Sequence, residues 1–181
     1  MGKNSNFALK WYKKAAQQGC AFANYKIGWF YSDQNKFKEA IPYLEKAAQQ
    51  GSPNGLVTLG VRYMVGKGVK KDEAKGLALW KQASEKGFGY AYLFIGNAYY
   101  HGNGVNVDKA LAFQYYDKYA SQDDDYAHQN VVANFYLAEG GFINWVKGWY
   151  WKSVSLTNQI RDLVLILQGK TPKFLEGAES C

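Results

Sequence analysis

The sequence predicts an all-α fold, a right-handed α-solenoid of about four stacked helix-turn-helix units closed by a C-terminal capping helical segment. Three observations carry that expectation. WYKKAAQQG, ending at Gly19, returns as YLEKAAQQG ending at Gly51, LWKQASEKG ending at Gly87 and, in degenerate form, YYDKYASQD ending at Asp123, at spacings of 32, 36 and 36 residues. A second block, TLGVRYMVGKGVKKD from Thr58 to Asp72, returns 36 residues on as FIGNAYYHGNGVNVD from Phe94 to Asp108. Both blocks carry apolar residues at the spacing of one helix face.

Taken in order, each unit reads as a helix of the second block (A) followed by one of the first (B). Around Ala8 to Gln18 lies a B helix. The first A helix carries Ala23, Ile27 and Tyr31 as one stripe, matched by Ala91, Ile95 and Tyr99; its copy KIGWFYSDQN lacks the Gly-x-Gly-Val insert, which accounts for the shorter first spacing. The next B helix places Ala40, Ile41, Leu44, Ala47 and Ala48 on one face, with Pro42 several residues inside, where a missing N–H predicts a kink or a late helix start. Gly28, Gly60 and Gly96 recur inside the A helices, where glycine is unfavourable, so their expected use is close approach of a neighbouring helix. A last copy, VVANFYLAEGG, keeps only apolar positions and a glycine pair.

From Phe142 the composition changes: Phe142, Trp145, Trp149, Tyr150 and Trp151 cluster ahead of an apolar helix that closes at Gly169. The division is therefore residues 1–141 as repeats and 142–181 as capping helices and tail. The aromatic segment is read as the cap that the open end of a solenoid needs, with an oligomer or partner contact as the alternative.

Composition narrows the function classes. The net charge of +7 comes from lysines spread over the chain, and Arg62 and Arg161 are the only arginines. Nucleic-acid readers gather their positive charge and lean on arginine, so no nucleic-acid partner is expected. Cys20 and Cys181 are too few for a disulfide framework or a four-thiolate metal site. His101 and His128 differ in repeat register, and Asp123, Asp124 and Asp125 lack the alternation and glycine of a calcium loop, so no metal or other cofactor is expected. The start, MGKNSNFALKWYKK, is polar and then amphipathic, and the longest apolar run is LVLIL at Leu163 to Leu167. The chain as given is expected to be cytoplasmic, with no membrane association. With 15 Tyr and 6 Trp, it has more rings than a core of this size needs.

The lysine-rich loop GKGVKKD at Gly66 to Asp72 could be taken for a phosphate cradle. It lacks the Walker spacing, and its copy GNGVNVD replaces Lys67, Lys70 and Lys71 with Asn103, Asn106 and Val107. What recurs is Gly, Gly, Val and Asp, the makings of a turn in which Asp72 and Asp108 cap the following helices. No serine or cysteine nucleophile motif with a base is present, and no enzyme is expected.

Leu/Ile-Gly, a tyrosine three residues on, Gly-x-Gly-Val, Asp, then an alanine-rich helix ending AAQQG: this combination resembles the Sel-one-like repeat (SLR) family, relatives of the tetratricopeptide repeat. The resemblance covers about Ala8 to Gly141 and is strongest in the two middle units. It implies adaptor and scaffold roles, with immunity proteins against delivered bacterial toxins among them. A cysteine-rich secreted branch is linked to β-lactam binding and hydrolysis; the paired cysteines of that branch are lacking here. If A helices line a concave face, as in tetratricopeptide-like solenoids, the stripe opposite their core stripe is the expected partner groove. It comprises Phe22, Tyr25 and Trp29; then Asn54, Val57, Val61 and Met64; then Tyr90, Leu93, Asn97, Tyr100 and His101; then Tyr126, Gln129, Ala133 and Tyr136. The expected partner is another protein, acidic in character because lysines rim the groove. The competing reading is that these rings pack on one another, or under the C-terminal aromatic segment, as additional core.

Overall fold

A computed structural model of the chain describes residues 3–122, 132–133, 136–139, 147–150 and 152–157. Seven α-helices follow one another: α1 Lys3–Gln17, α2 Ala21–Asp33, α3 Phe37–Gln49, α4 Pro53–Val65, α5 Glu73–Glu85, α6 Tyr90–His101 and α7 Lys109–Ala120. No strand occurs among the described residues. The A helices are α2, α4 and α6; the B helices are α1, α3, α5 and α7. The described residues fall into two compact units, one running to Lys109 and the other from Ala110.

Helix boundaries follow local chemistry. Cys20, whose sulfur is disulfide-bonded, accepts the Ala23 N–H with that sulfur at the start of α2. Ser52 Oγ accepts from the Gly55 N–H, with Pro53 in the first turn of α4 where its missing donor costs nothing. Asp72 Oδ1 accepts from the Lys75 N–H at 2.9 Å, so the recurrent aspartate caps α5 as its position predicts. Gly66 and Gly102 close α4 and α6 in the left-handed conformation, at φ 70° and 76°. The proline in α3 does not delay the helix: α3 begins at Phe37 and passes through Pro42, which is exposed. The carbonyl that loses its helical donor there belongs to Lys38, an exposed residue.

In the first unit each helix packs on the next in sequence, and α2 also touches α4. The recurring glycines mark the crossings. A Cβ on Gly28 would stand 2.6 Å from Leu44 Cδ2, and one on Gly60 would stand 2.5 Å from Trp80 Nε1. Trp80 lies across α4 and donates its indole N–H to the Val57 carbonyl at 3.1 Å. Ala23, Ile27, Ala40, Leu44, Ala47, Leu77, Ala83, Ala91 and Ile95 fill the interior between these crossings. Tyrosines on the A helices tie the pairs together: Tyr31 stacks on Tyr43 at 5.7 Å, and Lys75 Nζ donates to Tyr63 Oη at 2.8 Å.

In the second unit α7 buries Ala112, Tyr116, Tyr119 and Ala120, and Val132, Ala133 and Tyr136 are buried too. Tyr136 stacks on Phe113 at 4.4 Å and donates its hydroxyl proton to Asp117 Oδ2 at 2.9 Å. Burial, reinforced by Asp117, pushes the Tyr136 phenol above its ordinary pKa; burial alone does so for Tyr116. Short helical stretches stand at 136–139, 147–150 and 152–157. No described helix is long and apolar enough to cross a membrane.

Candidate functional site

The A helices are apolar nearly all round. One side carries the core stripe; the other carries residues whose exposure decides whether a binding face exists. On α2, Phe22 and Tyr25 are half-buried with ring centroids 6.1 Å apart, and Lys26 Nζ lies 4.9 Å over the first ring and 5.5 Å over the second. Trp29, one turn further on, is 52% exposed. On α4, Asn54 and Val61 are half-buried. On α6, Tyr90 is 48% exposed, while Leu93, Asn97 and Tyr100 are half-buried and His101 is exposed. Lys109 Nζ stands 4.9 Å over the Tyr100 ring, and the His101 imidazole lies edge-on to that ring at 4.9 Å.

Four residues of the expected stripe stand elsewhere. Val57 and Met64 are buried, because Trp80 lies across α4 as far as Val57 and because the missing side chain of Gly76 admits Met64, whose Cγ is 2.9 Å from where a Cβ would be. Ala133 and Tyr136 are buried in the second unit, Tyr136 beneath Phe113. Tyr126 and Gln129 lie outside the described residues, as do Phe142, Trp145 and Trp151 of the C-terminal aromatic cluster. Trp149 and Tyr150 of that cluster are exposed.

Charge separates the A helices from their neighbours. Their sequences hold one carboxylate, Asp33 at the end of α2, against Lys26, Arg62 and the titratable His101. A face with rings and cations suits recognition of a partner's polar or acidic groups. Among the described residues no group of His, Cys, Asp or Glu is placed to hold a metal ion.

Two features escape sequence reading. Asn24 is fully buried; its amide donates to Gln50 Oε1 at 2.8 Å, and Gln50 Nε2 donates to the Gly19 carbonyl at 3.0 Å, a bridge from α2 to the end of α3 and the α1–α2 turn. An open cleft of about 770 Å³ lies beside it, with Gln18, Phe22, Gln50, Ser52 and Pro53 on its walls. The only signal was Asn24 itself, polar where Leu56 and Tyr92 stand in the next two units. The second feature is the seating of each Gly-x-Gly loop on the preceding B helix. A Cβ on Gly68 would lie 2.6 Å from the Phe37 carbonyl oxygen, and one on Gly104 would lie 2.6 Å from the Glu73 carbonyl carbon. The left-handed φ of 86° and 74° at these positions and the close backbone both require glycine.

Comparison with known proteins agrees with this architecture. The Sel1 repeat model matches residues 1–20, 21–52, 56–88 and 89–124, more than half of the chain. A Sel1 repeat protein from Oxalobacter formigenes superposes with a TM-score of 0.73 at 32% identity over 85% of this chain and 64% of that one. A protective antigen of uropathogenic Escherichia coli strains displaying an SLR fold superposes with a TM-score of 0.66 at 25% identity over 96% of this chain and 36% of that one. In sequence, a sel1-like repeat-containing protein of Acanthamoeba polyphaga mimivirus is 41% identical over 46 residues, 25% of this chain and 9% of that protein. The ERAD-associated E3 ubiquitin-protein ligase component HRD3B of Arabidopsis thaliana is 38% identical over 65 residues, 36% of this chain and 10% of that protein. The matched segments thus span about a tenth of these curated relatives. Repeats of this kind serve generally as protein-protein interaction modules. The chain is an all-α solenoid and belongs to the Sel1 repeat family.

Proposed function

We propose that this chain is a non-catalytic interaction module, an adaptor or scaffold, that holds a peptide or a segment of a partner protein against the A-helix stripe, with Trp29 and Tyr90 as its anchors. The observation that carries the reading is the exposure of those two rings on helices that are already buried on their other side. Rings of this size supply much of the binding energy of an interface at small entropic cost. Phe22, Tyr25, Asn54, Val61, Leu93, Asn97, Tyr100 and His101 would form the surround, with Val57 and Met64 beneath it as support. Lys26 and Lys109 over these rings, and the near absence of carboxylates on the A helices, favour an acidic partner.

The test compares capture of partners by the wild-type chain and by the Trp29→Ala, Tyr90→Ala double variant, with circular dichroism as the check on folding. The double variant is expected to keep its helicity and lose a specific partner; undiminished capture would refute the reading. A captured toxin would make the module an immunity protein, and a captured cellular assembly an adaptor. Turnover of nitrocefin above background would replace both with a β-lactam hydrolase.

A further inference from the structure

The two Gly-x-Gly loops share a backbone and differ in what they hold. Gly104 donates its N–H to Glu73 Oε2 at 3.1 Å, and Glu73 Oε1 is 2.7 Å from Lys71 Nζ. One repeat earlier the place of Glu73 is taken by Phe37, and that of the capping Asp72 by Lys36, which makes no side-chain cap. The loop nevertheless sits the same way, with Gly68 over Phe37 as Gly104 is over Glu73. Both carboxylates are gone, and cations stand around the Phe37 ring that replaces one of them.

The Arg62 guanidinium lies 4.9 Å over the Phe37 ring and Lys67 Nζ 5.2 Å over it, with Lys36 and Lys38 flanking the ring in sequence. Arg62 Nε is buried without a hydrogen-bond partner, and burial draws the guanidinium below its ordinary pKa. Among the described residues neither Arg62 nor Lys67 belongs to an ion pair, and the Gly68 N–H donates no hydrogen bond. The one acid in the first turn of α3 is Glu39, two residues beyond the ring, and it pairs with neither cation.

We infer that the corner formed by Arg62, Lys67, Gly68 and Phe37 binds a carboxylate supplied by a partner protein, an Asp or Glu side chain that accepts from the Gly68 N–H as Glu73 accepts from Gly104 in the next unit. The incoming oxygen accepts from the Gly68 N–H, while Lys67 and the Arg62 guanidinium contribute charge from beside the Phe37 ring. That hydrogen bond satisfies a donor that is now unused, and charge-assisted bonds of this kind are the strong ones. The site is separate from the A-helix stripe and holds whether or not that stripe binds.

Amide NMR of the whole chain tests this, with the peptide acetyl-Gly-Glu-Glu-Gly-amide as probe and its Gln-Gln counterpart as control at constant ionic strength. The acidic peptide is expected to give a saturable shift of the Gly68 amide, leaving the Gly104 amide, already bonded to Glu73, in place. The Gln-Gln peptide should move neither. Phe37→Glu, which supplies the carboxylate from within, is expected to weaken the probe at least about tenfold and to move the free-state Gly68 amide toward the position of Gly104. Lys67→Gln, at an exposed position, should weaken the probe without disturbing the fold. Equal response to the two peptides, equal movement of Gly68 and Gly104, or a Lys67→Gln chain that binds as well as wild type would each overturn the inference.

Discussion

The A helices α2, α4 and α6 and the B helices α3 and α5 contribute to one interior, yet their outer faces are unlike. On α3 and α5 the outer face is charged, with Lys38, Glu39, Glu45 and Lys46 on one and Glu73, Lys75, Lys81 and Glu85 on the other, and no large apolar side chain is exposed. On α2, α4 and α6 the chain exposes Trp29, Val65 and Tyr90 and carries a single carboxylate. Stability accounts for the B pattern: one stripe inward, solvated charge outward. It does not account for Trp29 and Tyr90, half exposed on the A helices, nor for Phe7 and Trp11 on the B helix α1, and we propose that the A-helix rings serve binding.

Substitutions that sharpen the contrast should separate stability from binding. The largest loss is expected at a B-helix core position. Trp80→Ala removes the ring that spans Gly60 and Val57 and should cost about 3–5 kcal/mol by urea unfolding. At the loops, Gly68→Ala and Gly104→Ala should each cost about 1–3 kcal/mol, and by similar amounts, since both place a Cβ against backbone at positive φ. Trp29→Ala should change stability by less than about 1 kcal/mol while removing the partner, the reverse of Trp80→Ala. Should Trp29→Ala unfold the chain instead, the A face would be core and not a binding surface.

The smallest effect is a pH dependence. The Lys71 ammonium and then the Gly104 N–H hold the Glu73 carboxyl below its ordinary range. A carboxyl depressed on folding stabilises the fold above its unfolded pKa, and that contribution is lost as pH falls through the folded value. Glu73→Gln should therefore flatten the acid limb of a melting-temperature profile below about pH 4.5 and leave the neutral region nearly unchanged. Phe37, its counterpart, has no such limb to lose.

Much of the fold was legible because repetition supplies its own control. GNGVNVD discards the lysines of GKGVKKD and keeps the turn, and the structure shows Gly66 and Gly102 ending helices and Asp72 capping one. Gly28 and Gly60 were readable as points of close approach for the same reason. The site was less legible. Helical periodicity assigns a side chain to a face without saying how far a neighbour's ring reaches, and Trp80 in place of Leu44 is what buries Val57. Met64 likewise sits inside because position 76 is glycine where position 40 is alanine. The Asn24–Gln50 bridge and the cation-covered ring of Phe37 depend on side chains from different units meeting, which no single repeat encodes.

The central claim, that partners are held by the A face and not the B face, is tested most directly by site-specific photo-crosslinking in the native cell. A photoreactive phenylalanine analogue would be placed at Trp29 and Tyr90 on the A face, and at Lys46 and Gln82, exposed on the B face. The account expects one common partner trapped from positions 29 and 90 and absent from 46 and 82. The same partner trapped from the B positions and not from the A positions would contradict it.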